Sequence, residues 1–280
     1  LYHEPGAGGS TIARRVLWSL HLRYPTLVLR RCSARETVER IAYIYQLTGQ
    51  PILILREGSE VPESEAEQLA DLLASKHISS VMLQVLRRYQ RRITGDRSIF
   101  LEAQLSPVET RRFRVTLERE VPHRKHQIAQ LAESPEDIQN PFLFGLAAFA
   151  DNFIGLSPYV QNHLLQVPPP QMRVLQYLAL AYDYGQQALS SYHFAALLQL
   201  SPTRPVNFSR VLCEEARRLL IEQKDGRWRP VHQLVSTEIL KLSLTSSSND
   251  TRLWKMGLGD LARDFIDFCR THDPVPPDDL

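Results

Sequence analysis

The segment "YHEPGAGGSTIARRVLW" (residues 2–18) joins a glycine-rich turn to a stretch whose apolar residues recur at helical spacing. Phosphate-binding loops have this layout because small residues let successive backbone N–H groups converge on an anion, while the next helix directs its positive dipole end toward the charge. A hydroxyl side chain at the helix start then reaches Mg²⁺. The segment therefore predicts a phosphate-binding turn between a short strand and a helix.

The segment departs from the G-x-x-x-x-G-K-[ST] pattern at two positions. Gly8 takes the second glycine and Ser10 the hydroxyl residue, but His3 replaces the first glycine and Gly9 replaces the lysine. On the motif alone, a plain structural turn is therefore an equal alternative. The predicted nucleotide-binding residues are Pro5, Gly6, Ala7, Gly8, Gly9, Ser10 and Thr11, and Ser10 is also a predicted metal ligand.

The first 104 residues alternate short apolar runs with amphipathic stretches. The predicted strands are a stub before Glu4, "TLVLRRC" (26–32), "PILILRE" (51–57), "SVMLQVLRR" (80–88) and "SIFLEA" (98–103), and the stretches between them have helical spacing. This alternation predicts an α/β fold with a doubly wound parallel sheet, in which ligands bind beyond the carboxyl ends of the strands.

Charged residues follow two of these strands. Glu57 ends "PILILRE", after Arg56 at the position that usually carries an aspartate, and we predict that Glu57 holds Mg²⁺ and polarises the attacking water. A carboxylate that only caps the strand is the alternative. Arg87 and Arg88 lie where a γ-phosphate-sensing arginine is expected, and Arg87 is the predicted catalytic residue. A solvated face or a partner-binding patch is the alternative for the five arginines Arg87, Arg88, Arg91, Arg92 and Arg97.

After Leu105 the pattern becomes helical. Ser106, Pro107 and Glu109 predict a capping box at a helix start, and the prolines 168–170 predict an extended linker and a domain boundary. Three helical stretches, including "FSRVLCEEARRLLIEQ" (208–223), then precede a hairpin signal at Asp225-Gly226, and this order predicts a winged-helix domain. The expected parts are a P-loop NTPase domain (1–104), a helical domain (105–167), a winged-helix domain (168–245), and a linker with a further helical start (246–280).

Composition excludes several classes. The formal net charge is +2, which is no global signature of a nucleic-acid or membrane binder, and no apolar run is long enough to span a bilayer. The three cysteines show no zinc-ligand spacing, which favours a reducing, cytoplasmic location. The chain opens at Leu1 without a methionine, so we expect further segments outside it.

Taken together in chain order, "HEPGAGGSTIARRVLWSL", "PILILRE", "LSPVETRRF", "NPFLFGLAAF" and "RPVHQLVSTEIL" resemble the STAND class of P-loop NTPases. The similarity covers nearly the whole chain and is greatest to the novel STAND branch of bacterial conflict and antiviral systems and related animal antiviral proteins. The resemblance implies an ATP- or ADP-dependent signalling switch that uses Mg²⁺, turns over slowly and oligomerises on activation. It also implies effector and sensor domains outside this chain.

Two further nucleotide contacts follow from the resemblance alone. In the STAND class a proline early in the helical domain packs near the adenine, and a winged-helix histidine reaches the β-phosphate in the resting state. The matching positions are Pro141 of "NPF" and His232 of "VHQL". The missing lysine predicts slow hydrolysis, whereas the backbone cradle, the helix dipole and Mg²⁺ do not depend on it.

Three alternatives stay open at the level of sequence. A dinucleotide-binding oxidoreductase would use Gly6–Gly9 with Arg30 and Arg31 on a 2′-phosphate, but no substrate domain follows. A DNA-binding regulator would use the winged helix, whose predicted recognition helix carries mixed charges. A non-hydrolysing scaffold would use the turn only to stabilise the fold.

Overall fold

The computed structural model describes residues 1–30, 32–57, 61–87, 98–135, 139–151, 153–200, 206–223, 226–245 and 251–271, the first three residues of the last range by backbone only. Within these ranges the chain divides into two compact units, Leu1–Gly145 and Leu146–Leu280. Each unit has its own sheet. The four-part division expected from the sequence stays a prediction.

A parallel sheet of five strands forms the centre of the first unit. The strands are β1 (Tyr2–His3), β2 (Thr26–Leu29), β3 (Ile52–Glu57), β4 (Ser80–Arg87) and β5 (Phe100–Leu101). Their order is β2-β3-β4-β1-β5, and every neighbouring pair is parallel. The predicted α/β class with a parallel sheet is confirmed.

Helices α1 (Gly9–Leu20), α2 (Ala34–Thr48) and α3 (Glu63–Ser75) cover both faces of the sheet. Leu55 of β3 packs with Ala13 of α1, whereas Ile54 packs in the cluster that holds the buried residues of α2 and α3. Because successive side chains of a strand point to opposite faces, Glu57 lies on the α1 face and Arg56 on the other face.

Helices α4 (Pro107–Glu120), α5 (Lys125–Ala132) and α6 (Pro141–Phe149) follow the sheet, with a 3₁₀ turn between α4 and α5. The predicted capping box is confirmed, because the Ser106 hydroxyl accepts from the Glu109 N–H at 3.4 Å and a Glu109 carboxylate oxygen accepts from the Ser106 N–H at 2.9 Å. Hydrogen bonds from Ser106 lower the pKa of the Glu109 carboxyl. The helix start therefore satisfies two of its backbone donors by local side chains.

The second unit is mainly helical with a small antiparallel sheet. It contains α7 (Leu156–Leu164), α8 (Pro169–Gly185), β6 (Leu189–Ser190), α9 (Phe208–Val211), α10 (Glu214–Arg218), β7 (Leu220–Glu222), β8 (Arg227–Pro230), α11 (Gln233–Leu244) and α12 (Thr251–Thr271). The sheet order is β6-β8-β7, and β7 and β8 form the predicted hairpin, although Asp225 lies outside the described residues. Helix α8 packs against α11.

Two local predictions in this unit are wrong. The single helix expected over 208–223 is divided into α9, α10 and β7. Between α9 and α10 the Gln171 amide from α8 accepts from the Cys213 N–H at 2.8 Å and donates to the Val211 carbonyl at 3.3 Å, and after α10 the chain pairs with β8 as β7. The linker expected at the prolines is instead the start of α8, with Pro168 as N-cap and Pro169 as the first helical residue. Proline suits that position because its missing N–H has no helical partner there.

Helix α12 joins the second unit through aromatic contacts. The ring centroid of Phe268 lies 5.1 Å from that of Tyr177 on α8 and 5.9 Å from that of Phe194. Across the described residues, no helix combines the length and apolar character that crossing a bilayer requires.

Candidate functional site

The glycine-rich turn leads from the carboxyl end of β1 into the first turn of α1. Gly6 and Gly8 have φ values of 88° and 78°, a left-handed conformation that glycine adopts without steric cost, and the Ala7 N–H donates to the Glu4 carbonyl at 3.2 Å. Gly8 is the N-cap of α1 and has no side chain to satisfy the N–H groups of the first turn. The turn thus presents backbone donors and a positive helix end, an arrangement that suits an anion.

Gly9, at the position of the missing lysine, lies against His3, at the position of the missing first glycine. A Cβ added at Gly9 would lie 2.9 Å from the His3 Cβ and closer still to the ring atoms Cγ and Cδ2. The Cβ contact is set by the backbone and does not change when the imidazole rotates. With His3 in place, a side chain at position 9, a lysine included, fits only if the backbone around His3 and Gly9 shifts.

The His3 ring is half-buried and its orientation is fixed by the chain. Its Nδ1 donates to the Glu4 carbonyl at 2.8 Å, since a carbonyl oxygen only accepts. Burial lowers the pKa of His3, and the positive charge of Arg87 lowers it further, while the hydrogen bond to Glu4 opposes both. His3 therefore favours the neutral form.

Glu57, the predicted metal ligand and catalytic carboxylate, is held by Arg14 of α1. The Arg14 Nε lies 3.0 Å from each carboxylate oxygen and its Nη2 lies 2.6 Å from Oε2. The Glu57 side chain is only 13% exposed, whereas that of Arg14 is 57% exposed. The sequence analysis missed Arg14, whose one available signal is its position four residues after Ser10, on the same side of the helix.

Arg56, at the position that usually carries an aspartate, lies on the face of the sheet opposite α1. It is 3% exposed, and its Nε and Nη2 donate to the Val61 carbonyl at 2.9 and 2.7 Å, while Nη1 lies 3.4 Å from the Gln84 amide oxygen. These contacts give Arg56 a structural role, in which it holds the Val61 carbonyl next to the end of β3.

Arg87 ends β4 beside β1, where it pairs in register with His3. Paired residues of parallel strands point to the same face, and Val85, two residues before Arg87, packs with α1. Arg87 therefore shares the α1 face with Glu57. The other arginines of the predicted cluster, Arg88, Arg91, Arg92 and Arg97, lie outside the described residues, as does Arg31.

Pro141 is the first residue of α6 and is half-exposed. The two preceding residues are buried and anchor it: the Asn140 side chain accepts from the Leu143 N–H at 3.0 Å, and the Gln139 amide accepts from the Thr110 hydroxyl at 2.9 Å. Gln139 also donates to the carbonyls of Ala132 and Ser134. These hydrogen bonds fix the start of α6 to α4 and α5.

His232 is the N-cap of α11 in the second unit. Its Nδ1 accepts from the Leu234 N–H at 3.1 Å, and its carbonyl accepts from the Ser236 N–H at 3.1 Å. An imidazole is an uncommon cap, and this contact gives His232 a role in stabilising the helix start.

The first unit thus brings together several of the predicted residues at the carboxyl edge of its sheet. These are the turn Pro5–Gly8, the first turn Gly9–Thr11, Glu57 and Arg87, with Arg14 added. Pro141 follows in the helices of the same unit, and His232 belongs to the second unit. Among the described residues, no group of three or more His, Cys, Asp or Glu side chains is arranged to hold a metal by itself.

No protein-family model and no curated protein matches the chain. Among solved structures, a STAND ATPase with a tetratricopeptide-repeat sensor from Pyrococcus horikoshii is similar, with 12% identity and a TM-score of 0.42 over 96% of this chain and 47% of that protein. A RuvB variant from Thermotoga maritima is similar at 12% identity and a TM-score of 0.30, over 81% of this chain and 82% of that protein. The chain spans about half the length of the Pyrococcus protein.

Proposed function

We propose that the first unit binds ATP or ADP with Mg²⁺ at the turn between β1 and α1. The observation that carries this proposal is the juxtaposition of three features at one edge of a parallel sheet: a left-handed glycine turn, an uncapped helix start and the carboxylate of Glu57 on the same face. Ligands of open α/β sheets bind at this edge.

Each of these residues has a role in the proposal. The N–H groups from Gly6 to Thr11 surround the phosphates, and the Ser10 hydroxyl and Glu57 hold Mg²⁺, directly or through water. Bound Mg²⁺ neutralises charge that develops on the phosphates. Arg87, on the same face, contacts the γ-phosphate, and Glu57 orients the water that attacks it. Because position 9 lacks the lysine, we expect hydrolysis to be slow.

Through the STAND resemblance the proposal extends beyond the glycine-rich turn, to one residue later in the first unit and one in the second unit. Pro141 packs near the adenine and His232 donates to the β-phosphate in the resting state. The order α8, β6, α9, α10, β7, β8 supports a winged helix, because that motif consists of three helical segments followed by a hairpin. In this proposal the protein is a cytoplasmic switch of the novel STAND type, which oligomerises when exchange releases ADP and serves in signalling or antiviral defence.

Calorimetry tests the central step. We expect wild-type protein to bind ATP and ADP with Mg²⁺ and to bind them more weakly with EDTA. Glu57→Gln should lose most of the Mg²⁺ dependence, whereas Glu39→Gln, in an exposed ion pair with Lys76, serves as a matched control and should bind as wild type does. Absence of heat with either nucleotide, for protein shown to be folded, would refute the proposal.

Phosphate release separates slow turnover from a non-hydrolysing scaffold. We expect a wild-type rate above that of Glu57→Gln, and identical rates for the two proteins would favour the scaffold.

The structure provides arguments against the other two alternatives. In the dinucleotide-binding fold of order 3-2-1-4-5-6, β1 lies next to β2, whereas here β1 lies between β4 and β5. For DNA binding, the predicted recognition helix is reduced to α10, five residues long, in which Arg218 pairs with Glu214 at 2.7 Å. A base-reading arginine paired within its own helix is poorly placed for a phosphate or base contact.

A further inference from the structure

We infer that Arg14 supplies the positive charge that the missing lysine would otherwise bring, by exchanging its partner Glu57 for the phosphates of the bound nucleotide. The inference rests on the proposed function, because it assigns a phosphate ligand to the same site.

The first step is that position 9 cannot supply a cation. Gly9 has no side chain, and a Cβ there would lie 2.9 Å from the His3 Cβ, so a lysine at this position is disfavoured while His3 is present. In the proposed arrangement Arg87 contacts only the γ-phosphate, so it does not fully replace the lysine of the usual pattern, which reaches the β- and γ-phosphates. A second cation from a neighbouring element would strengthen phosphate binding.

The second step is that Arg14 is near enough to serve. It lies one helical turn after Ser10, so the two side chains share one side of α1. Side chains of a helix lean toward its N-terminus, which here is the end that faces the turn. The guanidinium is already at the carboxyl edge of the sheet, since it grips Glu57, the last residue of β3.

The third step is that the exchange is favourable. Arg14 is 57% exposed, so its guanidinium can leave Glu57 at little cost to itself. The Glu57 carboxylate is only 13% exposed and needs a new cationic partner, which Mg²⁺ supplies when the nucleotide binds. Arginine binds phosphate oxygens in the same bidentate manner in which it binds a carboxylate. A triphosphate also carries more negative charge than one carboxylate. The exchange also frees Glu57, which the Arg14 charge neutralises in the nucleotide-free protein, to act on Mg²⁺.

Calorimetry with ATP and adenosine tests the inference. With Mg²⁺, Arg14→Ala should weaken ATP binding by about tenfold or more and leave adenosine binding unchanged, because only the phosphates contact the guanidinium. Arg14→Lys should recover part of the loss. The matched control is Arg15→Ala, which removes an exposed cation from the next position of α1 and should bind ATP as wild type does.

A second arm tests the exchange itself. Without Mg²⁺, Glu57→Gln should bind ATP a few-fold more tightly than wild type, because Arg14 no longer has to leave a carboxylate. That gain should vanish in the Arg14→Ala/Glu57→Gln double variant.

Three results would overturn the inference. In the first, wild type binds ATP and Arg14→Ala binds it equally well or more tightly, so the inference fails while the proposed function stands. Tighter binding by Arg14→Ala would mean that Arg14 competes with Mg²⁺ for Glu57. If Arg14→Ala weakens ATP and adenosine alike, its role is structural. If wild type binds no nucleotide, the proposed function fails and takes the inference with it.

Discussion

His3 and Gly9 form a complementary pair, in which the side chain at position 3 fills the volume that a Cβ at position 9 would need. The two departures from the phosphate-loop pattern are therefore one coupled change. Gly9→Ala should destabilise the protein by about 1–3 kcal/mol because the added methyl group meets His3. Chemical denaturation measures this difference.

The control for Gly9→Ala is Gly145→Ala. Gly145 is a helical glycine with open space at its Cβ, so alanine there should stabilise by up to about 1 kcal/mol through helix propensity. In a His3→Gly background, Gly9→Ala should lose its penalty, giving a coupling free energy of about 1 kcal/mol or more. Equal costs of Gly9→Ala in both backgrounds would contradict the pairing.

The contact between His3 and Gly9 also predicts which substitutions would restore the G-x-x-x-x-G-K-[ST] pattern. Gly9→Lys alone should lower the melting temperature, whereas His3→Gly/Gly9→Lys should fold and bind ATP more tightly than wild type does, because the lysine then has room to reach the phosphates. A double variant as unstable as Gly9→Lys would show that His3 is not what excludes the lysine. Thermal unfolding and ATP calorimetry provide the two measurements.

Two substitutions at His232 separate its capping role from a nucleotide contact. His232→Ala removes the acceptor for the Leu234 N–H and should destabilise by about 0.5–2 kcal/mol, whereas His232→Asn keeps a good N-cap and should stay close to wild type. If His232 also contacts the β-phosphate, His232→Asn should bind ADP more weakly at unchanged stability. Unchanged ADP affinity in this variant would leave only the capping role.

Stability should depend on pH through His3. Because burial lowers the pKa of His3 in the folded chain below its usual value of 6.5, the unfolded chain binds the proton more readily. The contribution of the neutral His3 ring to the free energy of unfolding is fully present above about pH 6.5, and it is lost as the pH falls through the lowered pKa of the folded chain. His3→Gln should therefore lose less stability than wild type between pH 7 and pH 5, measured by urea unfolding at each pH. Parallel curves for the two proteins would contradict this assignment.

Arg56→Met tests the structural role of the buried arginine. The substitution removes both donors to the Val61 carbonyl, and leaving that buried carbonyl unpaired should cost about 1–3 kcal/mol. Arg40→Met, which changes an exposed cation on α2, should alter stability by less than about 0.5 kcal/mol. A near-neutral Arg56→Met would show that Val61 finds another partner.

Local patterns predicted much of the fold. The strand β3, the helix α2 and the Ser106 capping box follow from short-range periodicity and cap chemistry, which are properties of neighbouring residues. The division between α9 and α10 does not, because the Gln171 amide that interrupts the helix comes from 40 residues earlier in the chain.

The candidate site also contains some features that the sequence predicts and others that it does not. The turn and the strand-end position of Glu57 follow from the motif and the strand pattern. The pairing of Glu57 with Arg14 brings together β3 and α1, which are distant in sequence, so no local pattern contains it. The contact of His3 with Gly9 lies within one turn, but it depends on the backbone conformation of that turn, which the residue types alone do not fix.

The hydrogen bond at the start of α11 also determines the tautomer of the neutral His232 ring. Because the Leu234 N–H donates to Nδ1, the neutral His232 ring must carry its proton on Nε2. That nitrogen can donate to an oxygen but has no lone pair to offer a cation. The backbone of one helix turn therefore makes this imidazole selective for negatively charged or carbonyl groups and unsuited to metal coordination, before any ligand arrives.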